Sequence, residues 1–182
     1  MSKLIEVCIN ITDGEHGTVK DDCKGNYYLL SNKNIVNDEI IITEDDRKIN
    51  KETFEKINKR TMLEKKDILI STVGTLGKTA IIEDDNINYV FQRSVGIIKV
   101  NQQRINPYYL KYQLDNPIFQ KRLVKLSKGA IQKCLYIDDL KQLEIDIPPM
   151  DIQNKIVEVL YKIDKKISNN NKINDNLVYK VA

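Results

Sequence analysis

The pattern of apolar and polar positions predicts several short strands, a few helices and one long final helix. Residues 143–147 alternate strictly between apolar and acidic side chains, as expected for a half-buried strand. Other runs rich in β-branched or aromatic residues predict strands at residues 27–30, 39–43, 67–72, 79–82 and 94–100. Helical spacing covers residues 51–60 and 107–126, with a break expected at Asn116-Pro117. Because strands and helices do not alternate in βαβ order, we predict a mixed α+β fold with a twisted sheet.

The proline pair Pro148-Pro149 predicts the main boundary in the chain. Such a pair ends a strand and can begin a helix at its first turn. We therefore expect one domain over residues 1–148 and a long helix over residues 149–182. Apolar residues recur along this helix at spacings of three and four, and we call them the seam. The seam residues are Ile152, Ile156, Val159, Leu160, Ile163, Ile167 and, after a stretch rich in asparagine, Leu177.

Two arrangements of the seam are compatible with the sequence. The helix could fold back onto the core of its own chain, or it could pair with a second helix in a coiled coil. In a coiled coil, asparagines on the seam lower stability but fix the register and the number of helices.

Composition excludes several function classes. The net charge of +3 is too small to indicate nucleic acid by itself. Cys8, Cys23 and Cys134 follow no metal-binding spacing, and a single histidine, His16, forms no multi-histidine site, so we expect free thiols and no bound metal. No apolar run approaches the roughly 20 residues that span a bilayer, and the first residues lack the apolar stretch of a secretion signal. The expected location is the cytoplasm, without membrane contact.

The distribution of basic and small polar residues is more informative than their number. Between Gln120 and Lys133 there are five basic residues and no acidic one. Three clusters, residues 12–18, 74–79 and 128–133, combine glycine with hydroxyl, amide or cationic side chains, and residues 31–34 form a similar cluster after a strand. Such groups contact DNA phosphates, whereas glutamine, asparagine and arginine read base edges.

These clusters define the candidate DNA contacts. They are Thr12, Gly14, His16, Gly17, Thr18, Ser31, Asn32, Lys33, Asn34, Gly74, Thr75, Gly77, Lys78, Gln92, Arg93, Lys125, Lys128, Gly129, Ala130, Gln132 and Lys133. We expect the basic segment to face phosphates, and the candidates for reading bases are Asn34, Gln92, Arg93 and Gln132. Each cluster alone also fits an ordinary surface turn. Gly74 and Gly77 fit a close approach either to a neighbouring strand or to a nucleic-acid backbone.

Two motifs that resemble catalytic signatures have simpler interpretations. Asn106-Pro107-Tyr108-Tyr109 is similar to the Asn-Pro-Pro-Tyr motif of DNA adenine methyltransferases, but no glycine-rich cofactor loop accompanies it, so we predict a helix cap at Asn106 followed by Pro107 in the first turn. The loop that ends in Gly77-Lys78 lacks the first glycine of a phosphate-binding loop, because position 72 is threonine. We therefore expect no catalytic site in this chain.

Taken in order, the motifs resemble the target recognition domain and spacer helix of type I restriction–modification specificity subunits. The resemblance covers nearly the whole chain. It is carried by residues 12–18, 30–35, 67–71 with 74–78, 105–110 and 129–132, and by residues 145–150 with Gln153 and Ile156. The chain departs from the family at Lys66, where glycine is frequent, and at Ile152, where glutamate is frequent.

The resemblance implies a non-catalytic subunit that reads double-stranded DNA. Its expected partners are modification subunits, which hold S-adenosylmethionine and methylate adenine, and restriction subunits, which use ATP and Mg²⁺; the chain itself is expected to bind no cofactor. Full-length relatives have two recognition domains, so a single one is expected to form a homodimer through the seam. A natural half-subunit and a fragment of a longer protein both fit. The remaining alternatives are a piece of a DNA methyltransferase and a protein-interaction module.

Overall fold

The computed structural model describes the backbone of residues 1–129 and 133–181 and the side chains of residues 1–129 and 133–174. The chain forms two compact units, Met1–Ile147 and Pro148–Ala182. Within the described ranges the strands are β1 (Ser2–Lys3), β2 (Cys8–Asp13), β3 (Tyr27–Leu30), β4 (Ile35–Val36), β5 (Glu39–Ile40), β6 (Lys48–Ile49), β7 (Ile68–Ser71), β8 (Thr79–Ile81), β9 (Tyr89–Phe91), β10 (Val95–Val100) and β11 (Glu144–Ile145). The α-helices are α1 (Lys51–Thr61), α2 (Pro107–Asp115), α3 (Pro117–Leu126), α4 (Ile137–Lys141) and α5 (Met150–Val181). Short 3₁₀ helices cover Leu4–Val7 and Asn32–Asn34.

Two sheets form the centre of the first unit. The larger is antiparallel, with the strand order β2-β10-β7-β8. The smaller has the order β6-β3-β9, in which β3 pairs with β6 antiparallel and with β9 parallel. Two strand pairs, β1 with β11 and β4 with β5, complete the unit. This arrangement confirms the predicted mixed α+β class, although β5 and β11 are shorter than the sequence pattern indicated.

The hydrophobic core joins the two sheets. Leu30 and Phe91 of the smaller sheet belong to the same buried cluster as Leu69 and Ile97 of the larger one. Strands β7 and β10 are buried along their whole length, so they contain nearly continuous apolar runs instead of an alternating pattern. Each buried leucine, isoleucine or phenylalanine side chain contributes roughly 1.5–3 kcal/mol to folding.

A buried ion pair interrupts this apolar surface. Nζ of Lys99 in β10 lies 3.0 and 2.9 Å from the two carboxylate oxygens of Asp67, and the two residues are 8% and 3% exposed. The same ammonium also donates to the carbonyl of Met62, 2.9 Å away. A charged lysine is stable in a core only where such partners replace its hydration shell. The pair therefore holds the segment that leads into β7 against β10.

Asparagine caps divide the helical segment after β10. Asn106 accepts hydrogen bonds from the N–H groups of Tyr108 (2.9 Å) and Tyr109 (3.4 Å), and Pro107 occupies the first turn of α2. Asn116 accepts from the N–H of Ile118 at 2.8 Å and begins α3. The predicted cap at Asn106 and the predicted break at Asn116-Pro117 are therefore both confirmed.

The second unit is a single long helix with its apolar side chains in contact with solvent. Seam residues Ile152, Ile156, Val159, Ile163 and Ile167 are between 37% and 60% exposed, and Leu160 is half-buried. The side chain of Leu177 lies outside the described residues. Across the described part of the chain, no helix combines the length and apolar character needed to cross a membrane.

Candidate nucleic-acid interface

The turn between β9 and β10 is held by its own backbone. The N–H of Gln92 donates to the carbonyl of Leu30 at 2.8 Å, and the N–H of Arg93 donates to the carbonyl of Glu15 at 2.9 Å. Gln92 also forms a parallel bridge with Glu15. Because these polar backbone groups are paired, the turn has little freedom, and the side chains of Gln92 and Arg93 project from a rigid support.

Asn32 and Thr72 connect this turn to two further loops. The hydroxyl of Thr72 donates to the carbonyl of Arg93 (3.1 Å), and its N–H donates to the carbonyl of Ser94 (2.9 Å). The N–H of Asn32 donates to the hydroxyl of Ser94 (3.2 Å), and its side-chain amide donates to the carbonyl of Val73 (2.7 Å). The loops that follow β3 and β7 therefore adjoin the turn that follows β9.

Gly14 brings the loop after β2 against the same turn. Its N–H donates to the carbonyl of Val95 at 3.0 Å, and the N–H of Glu15 donates to that of Phe91 at 2.7 Å. A Cβ atom on Gly14 would lie 2.1 Å from the carbonyl oxygen of Phe91 and 2.3 Å from that of Gln92, so only glycine fits. Gly14 is buried. The close neighbours of Gly14 thus lie within the protein, and its contact with DNA stays a prediction.

The tip of this loop forms one side of an open cleft. His16 Nε2 lies 2.7 Å from Asp13 Oδ2, and the N–H of Gly17 donates to Glu15 Oε1 at 2.7 Å. The cleft has a volume of about 310 Å³, and the β9–β10 turn supplies part of its wall. Its lining residues are Glu15, His16, Gly17, Thr18, Val19, Leu29, Arg47, Gln92 and Arg93.

Arg60 on α1, which no sequence motif marked as a candidate, also holds the loop after β2. Its guanidinium donates to the carbonyl of Gly14 (2.5 Å) and to the hydroxyl of Thr12 (3.1 Å), and it lies 3.7 Å from a carboxylate oxygen of Asp13. Thr12, predicted as a DNA contact, is therefore bonded to α1. These contacts span 46 and 48 residues of sequence, and no local pattern predicts them.

The end of the basic segment reaches the same group of loops. The N–H of Gly74 donates to the carbonyl of Lys133 at 3.3 Å, and Val73 forms an antiparallel bridge with Cys134. Cys134 in turn exchanges two backbone hydrogen bonds with Lys128, at 2.9 and 2.8 Å. The predicted contacts Ala130 and Gln132 lie outside the described residues and remain predictions.

We name the resulting surface the loop surface; it comprises residues 15–18, 31–33, 73–75, 92–94 and 133–134. It consists of segments distant in sequence that are joined by hydrogen bonds, and its exposed residues include His16, Lys33, Thr75, Arg93 and Lys133. The description of the protein family that matches residues 3–178 is "Type I restriction modification DNA specificity domain". The chain belongs to this family.

Individual relatives and solved structures are consistent with membership in this family. The type I restriction enzyme EcoBI specificity subunit of Escherichia coli is 35% identical over 130 residues, which are 68% of this chain and 27% of that protein. The chain thus spans about a quarter of the length of this curated relative. Among solved structures, the type I system S subunit of M. genitalium matches 92% of the chain and 39% of its own length, at 16% identity and a TM-score of 0.63. The HsdS subunit of Thermoanaerobacter tengcongensis matches 94% and 38%, at 18% identity and a TM-score of 0.61.

Asn34 in the specificity domain is a structural residue. It is 4% exposed, and its side-chain amide donates to the carbonyl of Ile41 and to the carboxylate of Asp46, each at 2.9 Å. Its side-chain oxygen accepts from the N–H of Ser31 at 3.0 Å. The amide is thus occupied on both sides within the protein, and base reading by Asn34 stays a prediction. The predicted contact Ser31 is likewise bonded within its own loop.

Gly77 also has its close neighbour inside the protein. With a φ of +79°, it adopts the left-handed conformation that favours glycine, and a Cβ there would lie 2.3 Å from Gln120 Oε1. Gln120 donates to the carbonyl of Gly77 at 2.9 Å. Gly77 is buried, and its contact with DNA stays a prediction. The other described candidates that are exposed are His16, Gly17, Thr18, Lys33, Gly74, Thr75, Lys78, Arg93, Lys125, Lys128, Gly129 and Lys133.

Ion pairing separates the basic candidates into two groups. Lys33 lies 2.9 Å from Asp46, and Lys128 lies 3.1 Å from Asp139 and stacks over the ring of Tyr136. In the described part of the chain, no carboxylate pairs with Lys78, Arg93, Lys121, Arg122, Lys125 or Lys133. Cations without a carboxylate partner exert more of their charge on an approaching phosphate, so this second group is the stronger set of candidates.

Asp46 gives the loop after β3 a dependence on pH. Burial opposes ionisation of Asp46, but hydrogen bonds from Asn34, Thr43 and Lys33 outweigh it and lower its pKa to about 2. A carboxyl with a lowered folded-state pKa stabilises the fold above its unfolded pKa of about 3.9. That contribution disappears as the pH falls through the folded value.

We predict that Asp46→Asn lowers the free energy of unfolding by about 1–2 kcal/mol at pH 7, because the hydrogen bonds lose their charged acceptor. The difference from wild type should shrink as the pH falls from 4 towards 2. Denaturant titrations at several pH values measure it. Asp45→Asn is the matched control, since Asp45 is exposed and no described residue bonds to its side chain. Equal effects of the two substitutions would contradict this assignment.

Proposed function

We propose that this chain is the DNA sequence-specificity component of a type I restriction–modification system. It reads one half of a split duplex target and directs adenine methyltransferase and restriction subunits to that site, without catalysing a reaction. The observation that carries this proposal is the loop surface. Its exposed polar side chains come from loops distant in sequence, and hydrogen bonds join these loops to one another. Membership in the specificity-domain family supports it independently.

The loop surface suits recognition because its side chains are held before DNA arrives. Arg93 stands on a turn whose carbonyl and N–H are both bonded, so binding requires little additional ordering of the backbone. Exposed Lys125 and Lys133 would neutralise phosphates, which positions the duplex without reading its sequence. Arg93 and Gln92 would then reach base edges, each distinguishing bases by roughly 1–3 kcal/mol when its contact is bidentate.

The remaining chemistry belongs to partner subunits under this proposal. The modification subunits would bind S-adenosylmethionine and transfer its methyl group to adenine, and the restriction subunits would bind ATP and Mg²⁺. The complex would work in the cytoplasm, where its DNA substrate lies. The side-chain oxygen of Asn106 caps α2. The alternative, a fragment of a DNA methyltransferase, would be supported if the isolated chain bound S-adenosylmethionine.

The central prediction concerns methylation in cells. When the chain is co-expressed with modification subunits of its host, methylated adenines should share one sequence motif, because this chain selects the site. Methylation-sensitive long-read sequencing measures the motif. The control is the same modification subunits without the chain, which should leave adenines unmethylated. An identical motif in the control would refute the proposed function.

A second prediction separates phosphate contacts from base reading. Each lost phosphate contact reduces the slope of log affinity against log salt by about 0.9. Replacing Lys121, Lys125 and Lys133 by alanine should therefore flatten the slope by up to about 2.7 while preserving the sequence preference. The single substitution Lys128→Ala should reduce the slope by less than about 0.9, because Lys128 already pairs with Asp139.

Fluorescence anisotropy at several salt concentrations measures these slopes. A matched control replaces Lys155, Lys162 and Lys165 of α5 by alanine, which removes the same charge elsewhere. An unchanged slope in the first variant would remove the basic segment from the interface. A salt-independent affinity of the wild type would favour a protein-interaction module.

A third prediction concerns the seam. Its exposed isoleucines need an apolar partner, and a second copy of the chain supplies an identical helix. We expect a homodimer with a mass near twice the 21.1 kDa of the chain. Two recognition domains related by a twofold axis would then read an inverted repeat, since identical readers require identical half-sites.

Light scattering at high micromolar concentration measures this association. The double substitution Ile163→Asp and Ile167→Asp should produce monomers, because each places a charge in the seam. The double substitution Ser168→Asp and Asn169→Asp adds the same charge beside the seam and should leave the dimer intact. A wild-type chain that remains monomeric under these conditions would exclude the homodimer.

A further inference from the structure

Glu15 and Arg93 present opposite hydrogen-bonding groups from adjoining backbones. The N–H of Arg93 donates to the carbonyl of Glu15 at 2.9 Å, and both side chains line the cleft of about 310 Å³. Each side chain therefore starts from a fixed backbone point, and a guanidinium donor and a carboxylate acceptor line the same cleft. A base pair presents donors and acceptors next to each other in the same way.

The two other ionisable side chains of the cleft are already engaged. Arg47 bonds to Asp21 (2.6 Å) and to the carbonyl of Val19 (2.7 Å), and His16 bonds to Asp13 (2.7 Å). These groups hold the walls of the cleft in place.

Glu15 and Arg93 differ from them. In the described part of the chain neither has an ion-pair partner, and they form no salt bridge with each other. One carboxylate oxygen of Glu15 accepts from the N–H of Gly17 at 2.7 Å. That bond orients the carboxylate and leaves its second oxygen for another donor.

A carboxylate at a DNA interface restricts what it can contact. It repels phosphates and the acceptor atoms of guanine and thymine, and it accepts from the amino groups of cytosine and adenine. A guanidinium matches the two acceptors of guanine, O6 and N7, in the major groove. Arginine together with glutamate is therefore complementary to a G·C pair. An A·T pair offers the carboxylate the adenine amino group, but neither of its bases offers the arginine two acceptors.

We propose that Arg93 and Glu15 together read one G·C base pair of the half-site in the major groove. Arg93 donates to O6 and N7 of guanine, and Glu15 accepts from the N4 amino group of the paired cytosine. This inference rests on the proposed function, since it names the base pair that the loop surface selects. Both side chains are specificity-determining residues.

The test compares substitutions at the two residues on the target motif of the wild type. Arg93→Ala and Glu15→Gln should relax the preference at the same G·C position, by about tenfold to a hundredfold in relative affinity, and leave other positions unchanged. Glu15→Gln retains the oxygen that accepts from Gly17, so the loop should keep its conformation. Thermal unfolding verifies that both variants fold.

Two comparators make the assignment specific. Arg122→Ala removes an exposed cation from the basic segment and should weaken binding to every sequence equally. Replacing the guanine by 7-deazaguanine removes the N7 acceptor; it should weaken binding by wild type and Glu15→Gln, and leave Arg93→Ala unaffected.

The possible results distinguish the two proposals. Relaxation at two different positions, at an A·T pair, or at no position by either variant would overturn the G·C assignment while leaving DNA recognition intact. Sensitivity of Arg93→Ala to 7-deazaguanine equal to that of wild type would overturn the role of Arg93. A wild-type chain without any sequence preference, in the complex with its modification subunits, would instead overturn the proposed function.

Discussion

The loop surface depends on the requirement that buried backbone N–H and carbonyl groups be paired. Segments after four different strands meet where no regular ladder pairs their backbone groups, and these groups pair with one another instead. The turn after β9 bonds to the loop after β2 through Arg93 and Glu15, and to the loop after β7 through Thr72. Asn32 adds the loop after β3 through its side-chain amide. Where such a bond joins buried groups, its removal would leave a polar group unpaired at a cost of about 1–3 kcal/mol, so the loops stabilise one another.

Charged side chains in this chain are also paired with close neighbours. A net charge of +3 indicates little, because much of the positive charge is matched by nearby carboxylates. Lys99 is matched inside the core and Lys33 at the loop after β3. Among the basic candidates for DNA contact, those that lack a carboxylate partner in the described structure lie on α3, at Lys133, at Lys78 and on the turn with Arg93. Pairing therefore ranks the basic candidates by the charge that each can direct towards a polyanion.

The sequence predicted the features that depend on local interactions. Asparagine followed by proline marked the start of α2 and of α3, because capping involves residues only two or three positions apart. Continuous apolar runs marked β7 and β10. Strands β2 and β9 were not predicted: β2 mixes exposed polar with apolar residues, and β9 is three residues long. The parallel pairing of β3 with β9 joins residues some sixty positions apart, and no local pattern encodes it.

The candidate site shows the same division. Residue type correctly indicated polar, glycine-containing loops, and the structure joins several of them. It could not distinguish an asparagine that supports a loop from one that contacts a ligand; in Asn34, Asp46 and Ile41 occupy the amide. The few exposed readers that remain limit what one domain can achieve. Specific DNA binding exceeds non-specific binding by about 4–10 kcal/mol, and each bidentate reader supplies roughly 1–3 kcal/mol. In the proposed homodimer, two copies joined through the seam would double the number of readers.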